Sequence, residues 1–133
     1  MAYYEQQLVR IYIYKMAGTT PMTYNKKRTL VFVETKHFTQ LVKKYLSDEE
    51  YSELQQYIMN DPEMGKVIRG GGGVRKIRWT RKGIGKSGGV RTVYYWAKAR
   101  DEIYMLTMYS KNEKENIDKK TLAQIAKQLE DIK

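Results

Sequence analysis

The 133-residue chain contains no cysteine. Disulfide bonds and thiolate zinc sites are therefore excluded, and a reducing compartment is compatible with that absence. It has one histidine, His37, so the side chain most used for proton transfer near neutral pH is almost missing. The helical spacing around His37 makes it a surface or capping residue. No apolar run reaches the roughly 18–20 residues that span a bilayer. Arg10 and Lys15 interrupt LVRIYIYKM before a clean apolar region forms, which argues against a signal peptide. The expectation is a cytoplasmic protein with no membrane partner. Between Val74 and Arg91 there is no acid at all. A metal-dependent nuclease needs several carboxylates near its phosphate site, so neither a metal nor another cofactor is expected there.

What is present is positive charge. The chain holds 25 Lys and Arg against 15 Asp and Glu, a formal net charge of +10. An excess of that size suggests a polyanionic partner such as nucleic acid. Hydrophobic residues make up 41%, enough for one modest core.

The patterning predicts an α+β domain: a small antiparallel β-sheet with an N-terminal helical hairpin and a C-terminal helix. TLVFVET (29–35) reads as a strand. Phe38, Leu41, Val42 and Tyr45 then recur at helical spacing. Ser47 with Glu50 three residues on forms a capping box signature, and the helix it opens places Tyr51, Leu54, Tyr57 and Ile58 on one face before Asn60-Asp61-Pro62 stops it. VRKIRWT (74–80), GVRTVYYWAKA (89–99) and DEIYMLTMYS (101–110) read as strands, with a tight turn near Ala99–Asp101. Leu122, Ile125, Ala126 and Leu129 mark a closing helix, with Asp118 as its cap. Residues 1–27 stand apart as an N-terminal extension, with five of the 12 tyrosines and one acid, Glu5. The extension reads either as an appendage or, through RIYIY, as a strand added at the sheet edge, where pairing would protect exposed backbone groups.

The stretch GIGKS (83–87) resembles the end of a phosphate-binding P-loop, but the leading glycine would fall on Thr80. A P-loop also feeds a helix, whereas GGVRTVYYW reads as a strand. Charge is the better guide. Arg75, Lys76, Arg78, Arg81, Lys82, Lys86 and Arg91 are seven cations within eighteen residues. Alternation along a strand puts Lys76 and Arg78 on one face and Ile77 on the other. A glycine-rich loop swings further lysines over the same face. The plain alternative is a solvated basic hairpin that only tunes solubility. The sharper reading is a phosphodiester-binding surface. RNA cleavage through the 2′-OH needs a base for that proton, cations for the pentacoordinate phosphorus and an acid for the leaving 5′-oxygen. Lysine becomes a base when other cations crowd it, and arginine binds phosphate with a two-pronged fork.

Taken together, YLSDEEYSELQQYIMNDPEMGKVIRGGGGVRKIRW, KGIGKSGGVRTVYYW and MLTMYSKNEKENI resemble the RelE/HigB family of bacterial toxin–antitoxin toxins. The likeness covers nearly all of the chain beyond the extension and identifies 28–133 as the toxin domain. It implies the same α+β fold and a ribosome-dependent, metal-independent mRNA endonuclease that uses the RNA 2′-OH. It also implies a cognate antitoxin, with the ribosome and mRNA as further partners and DNA reached only through the antitoxin. The matching motifs put Lys76 as general base or phosphate ligand, Arg78 and Arg91 as stabilisers of the charged phosphorus, and Lys111 as the cation after the last strand. Arg75, Arg81, Lys82, Lys86 and Asn112 fall to RNA or ribosome binding. Asn112 and the tyrosine-free NIDKK depart from the family pattern, leaving Tyr94, Tyr109 or Trp79 as alternatives for stacking on a base, unless all three are core aromatics. Without the likeness, the same basic face also fits a non-catalytic RNA- or DNA-binding protein, or a surface for an acidic protein.

Overall fold

A computed structural model describes residues 8–16, 28–80, 89–110 and 118–129. Among these, six strands form one sheet and three α-helices pack on it, with one 3-10 turn at Lys98–Arg100: β1 (Leu8–Met16), β2 (Arg28–Thr35), α1 (Lys36–Tyr45), α2 (Asp48–Asn60), β3 (Lys66–Val67), β4 (Arg75–Trp79), β5 (Val90–Ala97), β6 (Glu102–Ser110) and α3 (Lys119–Leu129). The sheet order is β1-β2-β6-β5-β4-β3. The α+β architecture is as expected, with two additions. The pairing of β2 with β6 is parallel, Val31 opposite Glu102 through Glu34 opposite Met105. The two-residue β3 is too short to show as a pattern in the sequence.

Of the two readings held for RIYIY, the structure shows an edge strand: β1 pairs antiparallel with β2 from Leu8 opposite Thr35 to Met16 opposite Arg28. Its aromatic side is anchored. Tyr12 meets Tyr51 and Tyr14 meets Phe32 edge to face, each with centroids 5.7 Å apart. The Tyr14 hydroxyl donates to Gln55 Oε1 at 2.6 Å. The other side of β1 presents Ile11 and Ile13 to solvent.

The helical hairpin covers one face of the sheet. Its start is welded to β2: Thr35 Oγ1 accepts from Phe38 N at 3.1 Å and donates to the Leu106 carbonyl at 3.1 Å. The fully buried Glu34 carboxylate accepts from Thr39 Oγ1 at 2.7 Å and from Tyr51 OH at 2.6 Å. These hydroxyls satisfy a group that would otherwise be costly to bury. Beneath the hairpin lie Leu30, Phe32, Phe38, Val42, Leu54, Ile58, Ile103 and Met105, all buried. The capping box is present: Glu50 N donates to Ser47 Oγ at 3.1 Å and Ser47 N to Glu50 Oε1 at 2.9 Å. Ser47→Ala is expected to lower unfolding free energy by about 1 kcal/mol in urea titration, with an unchanged m-value. Tyr57, expected on the buried face of α2, is exposed. The buried stripe runs through Tyr51, Leu54, Gln55 and Ile58 instead, and Tyr57 packs at its flank on Trp79, with centroids 5.1 Å apart.

The opposite face carries a smaller cluster of Val33, Val74, Val93, Ala97, Tyr104, Leu106 and Tyr109. Asp118 caps α3, accepting from Thr121 N at 2.7 Å. Leu122 of α3 lies against Gly71. The Tyr104 hydroxyl donates to Glu102 Oε1 at 2.6 Å, and burial followed by that carboxylate pushes its pKa up to about 12. An ordinary tyrosine ionises near 10, so between those values the unfolded chain releases a proton that the folded chain keeps. Stability from Tyr104 is thus full below about pH 10 and falls as pH rises towards 12. Tyr104→Phe is expected to flatten the alkaline limb of a stability–pH curve measured by chemical denaturation.

Candidate functional site

Cross-strand register decides which basic residues meet. Antiparallel pairing sets Arg78 opposite Arg91, Lys76 opposite Val93 and Ile77 opposite Thr92. Directly opposed residues share a face, so Lys76, Arg78 and Arg91 stand together on the face away from the helical hairpin. Ile77 is buried beneath the hairpin, as the alternation predicts. Two arginines directly opposite one another concentrate like charge on one patch of the sheet. Arg91 is half-buried, and its Nη1 is shielded from solvent with no hydrogen-bond partner among the described residues. A buried guanidinium N–H without an acceptor is a standing cost of about 1–3 kcal/mol. An anion bound between Arg91 and Arg78 supplies that acceptor.

A bulge assists the same face. Val93 lies opposite Thr107 but Tyr94 lies opposite Met105, so Leu106 is an extra residue in β6. The extra residue reverses the alternation beyond it and turns Tyr109, opposite Arg91, onto the cationic face. Tyr109 is buried against Val93, and so underlies the arginines. Tyr94 and Trp79, the other aromatics considered for stacking, belong to the opposite face. Tyr94 is a core residue whose hydroxyl accepts from Gly65 N at 3.0 Å and donates to the Pro62 carbonyl at 2.8 Å. Burial pushes its pKa up, against the lowering effects of the Gly65 N–H and Arg75.

Arg75 does not join the cluster. Alternation places it on the hairpin face, where Nη1 donates to the Glu63 and Gly65 carbonyls, each at 2.8 Å, and Nη2 lies 3.8 Å from the Glu63 carboxylate. Its charge is occupied in holding the Asp61–Gly65 turn. Arg81, Lys82, Lys86, Lys111 and Asn112 lie outside the described residues. His37 is exposed on the first turn of α1, across the sheet from the arginines. Among the described residues no three His, Asp or Glu side chains converge, and no helix is long and apolar enough to cross a membrane. One cation escaped the sequence reading. Lys66 stands opposite Lys76 on β3, exposed, on the same face as the arginines. Its only sequence signal was a lone lysine between a proline turn and a glycine run.

A family model described as the RelE toxin of the RelE / RelB toxin-antitoxin system matches residues 27–133. Among solved structures, an arginine-to-alanine double mutant of the E. coli toxin RelE in the free state is similar at 16% identity and TM-score 0.44. The likeness covers 63% of this chain and 85% of that one.

Proposed function

The chain belongs to the RelE toxin family, and from that premise we propose that it is a ribosome-dependent mRNA endonuclease, held inactive by the cognate antitoxin that a toxin of this kind has as its partner. One observation supports the chemistry above all: the opposed Arg78–Arg91 pair, with a buried Arg91 N–H that has no acceptor among the described residues. Such a site is preorganised for a phosphate whose charge grows in the transition state.

In the proposed reaction the 2′-oxygen of the message attacks the adjacent phosphorus. Lys76 takes the 2′-proton or, as a plain cation, holds a phosphate oxygen. Arg78 and Arg91 neutralise the equatorial oxygens of the pentacoordinate phosphorus. The bond to the 5′-oxygen breaks, and that oxygen leaves with a proton from solvent or a protonated lysine. One product ends in a 2′,3′-cyclic phosphate, which water opens to a 3′-phosphate, and the other begins with a 5′-hydroxyl. No step calls on a metal. Lys111 is the proposed further cation at the site, with Arg81, Lys82, Lys86 and Asn112 gripping RNA.

The test is induction of the chain in bacteria, with and without Arg91→Ala, followed by mapping of 5′-hydroxyl ends on cellular mRNA. The proposal expects growth arrest with cuts inside translated codons, lost in the variant and when translation is blocked. RNA binding without new ends would identify a non-catalytic binding protein instead.

A further inference from the structure

The two-residue β3 is held more firmly than its length requires. Tyr94 grips the turn before it through Gly65 N and the Pro62 carbonyl, and Arg75 grips the same turn through the Glu63 and Gly65 carbonyls. A Cβ on Gly65 would lie 2.6 Å from the Tyr94 hydroxyl, so only glycine lets the turn sit this close. Beyond β3, Ile68 N donates to the Val74 carbonyl at 2.9 Å and Gly73 turns with φ of 102°. These contacts do not bury β3, because Lys66 and Val67 are both exposed. What they fix is position: Lys66 opposite Lys76, at the sheet edge.

Four cations then form a stepped path on one face: Arg91 on β5, Arg78 opposite it on β4, Lys76 two residues along β4, and Lys66 opposite Lys76 on β3. Strand spacing makes the cross-strand steps about 5 Å and the step along β4 about 7 Å. Such steps suit successive phosphates of one extended strand, where a duplex would need a groove. Among the described residues neither Lys66 nor Lys76 has an ion-pair partner, and the nearest acid in sequence, Glu63, is engaged with Arg75 on the other face.

We propose that Lys66 is a phosphate-binding residue, and that the single-stranded message runs from Arg91 across β4 to the β3 edge, with Lys66 holding a phosphate one or two nucleotides from the scissile bond. The inference rests on the endonuclease reading and adds the course of the substrate over the sheet. Lys66 is not a catalytic residue. It acts equally on the ground and transition states, and so affects saturation rather than the rate of cutting.

The experiment is single-turnover cleavage of a message on programmed ribosomes by the full chain, as Lys66→Gln and Lys66→Arg against the unsubstituted protein. A methylphosphonate, which removes one phosphate charge, is placed in turn at the two linkages on either side of the scissile one. Lys66→Gln is expected to raise the half-saturating concentration roughly 5-fold, leave the maximal rate within about twofold, and make the log–log salt slope shallower by about 0.7. Lys66→Arg restores saturation. One methylphosphonate position weakens binding by the unsubstituted chain but not by Lys66→Gln. Equal saturation by Lys66→Gln, or a loss that couples to no message phosphate, overturns the inference, the latter by assigning Lys66 to ribosomal RNA. If the unsubstituted chain cuts no message, the endonuclease reading itself falls, and the inference with it.

Discussion

Arg91→Ala is expected to lower the single-turnover cleavage rate by roughly 10²–10³-fold, the scale on which a preorganised charge partner contributes to a transition state. Saturation should change far less. The same substitution is expected to leave the fold as stable as before or up to about 1–3 kcal/mol more stable, because it removes a buried N–H that has no acceptor among the described residues. Loss of activity with equal or higher stability is the signature of a residue held in place for its ligand. Cleavage kinetics and thermal denaturation on the same preparations check both halves. A variant that loses activity only by unfolding would remove Arg91 from the chemistry. Arg91→Lys should recover little, since an ammonium lacks the fork that spans two phosphate oxygens.

The largest loss of stability is expected from Phe32→Ala. Phe32 is fully buried at the centre of the hairpin face, opposite Tyr12 on β1 and Ile103 on β6, and edge to face with Tyr14. Truncation leaves a cavity among side chains of β1, β2 and β6 beneath the hairpin. A loss of about 3–5 kcal/mol is expected, a large share of the roughly 5–15 kcal/mol that holds a domain together. Ile13→Ala on the neighbouring strand should change stability by no more than about 0.5 kcal/mol, because Ile13 is 65% exposed. Urea titrations of the two variants make the comparison. Near-equal losses would mean that the exposed side of β1 is covered in solution.

Much of this molecule is legible in local pattern. Ser47 and Glu50 announce the start of α2, Asp118 that of α3, and the alternation around Ile77 sends Lys76 and Arg78 to one side of β4. Each depends on residues a few positions apart, whose geometry follows from the period of a helix or strand. Tyr57 shows the limit. Helical spacing admits it to the buried face, but where that stripe is centred depends on what the helix meets.

By itself the sequence determined the element types, the family and the density of cations between Val74 and Arg91. Only the tertiary structure decided which of those cations share a site. Register set Arg78 against Arg91, alternation sent Arg75 to the far side to hold a turn, a single bulged residue turned Tyr109 under the arginines, and a two-residue strand brought Lys66 level with Lys76. Pairing between strands is made by backbone hydrogen bonds that any side chain permits. One residue of slip exchanges the two faces of a strand, so the composition of the site is a property of the assembled sheet.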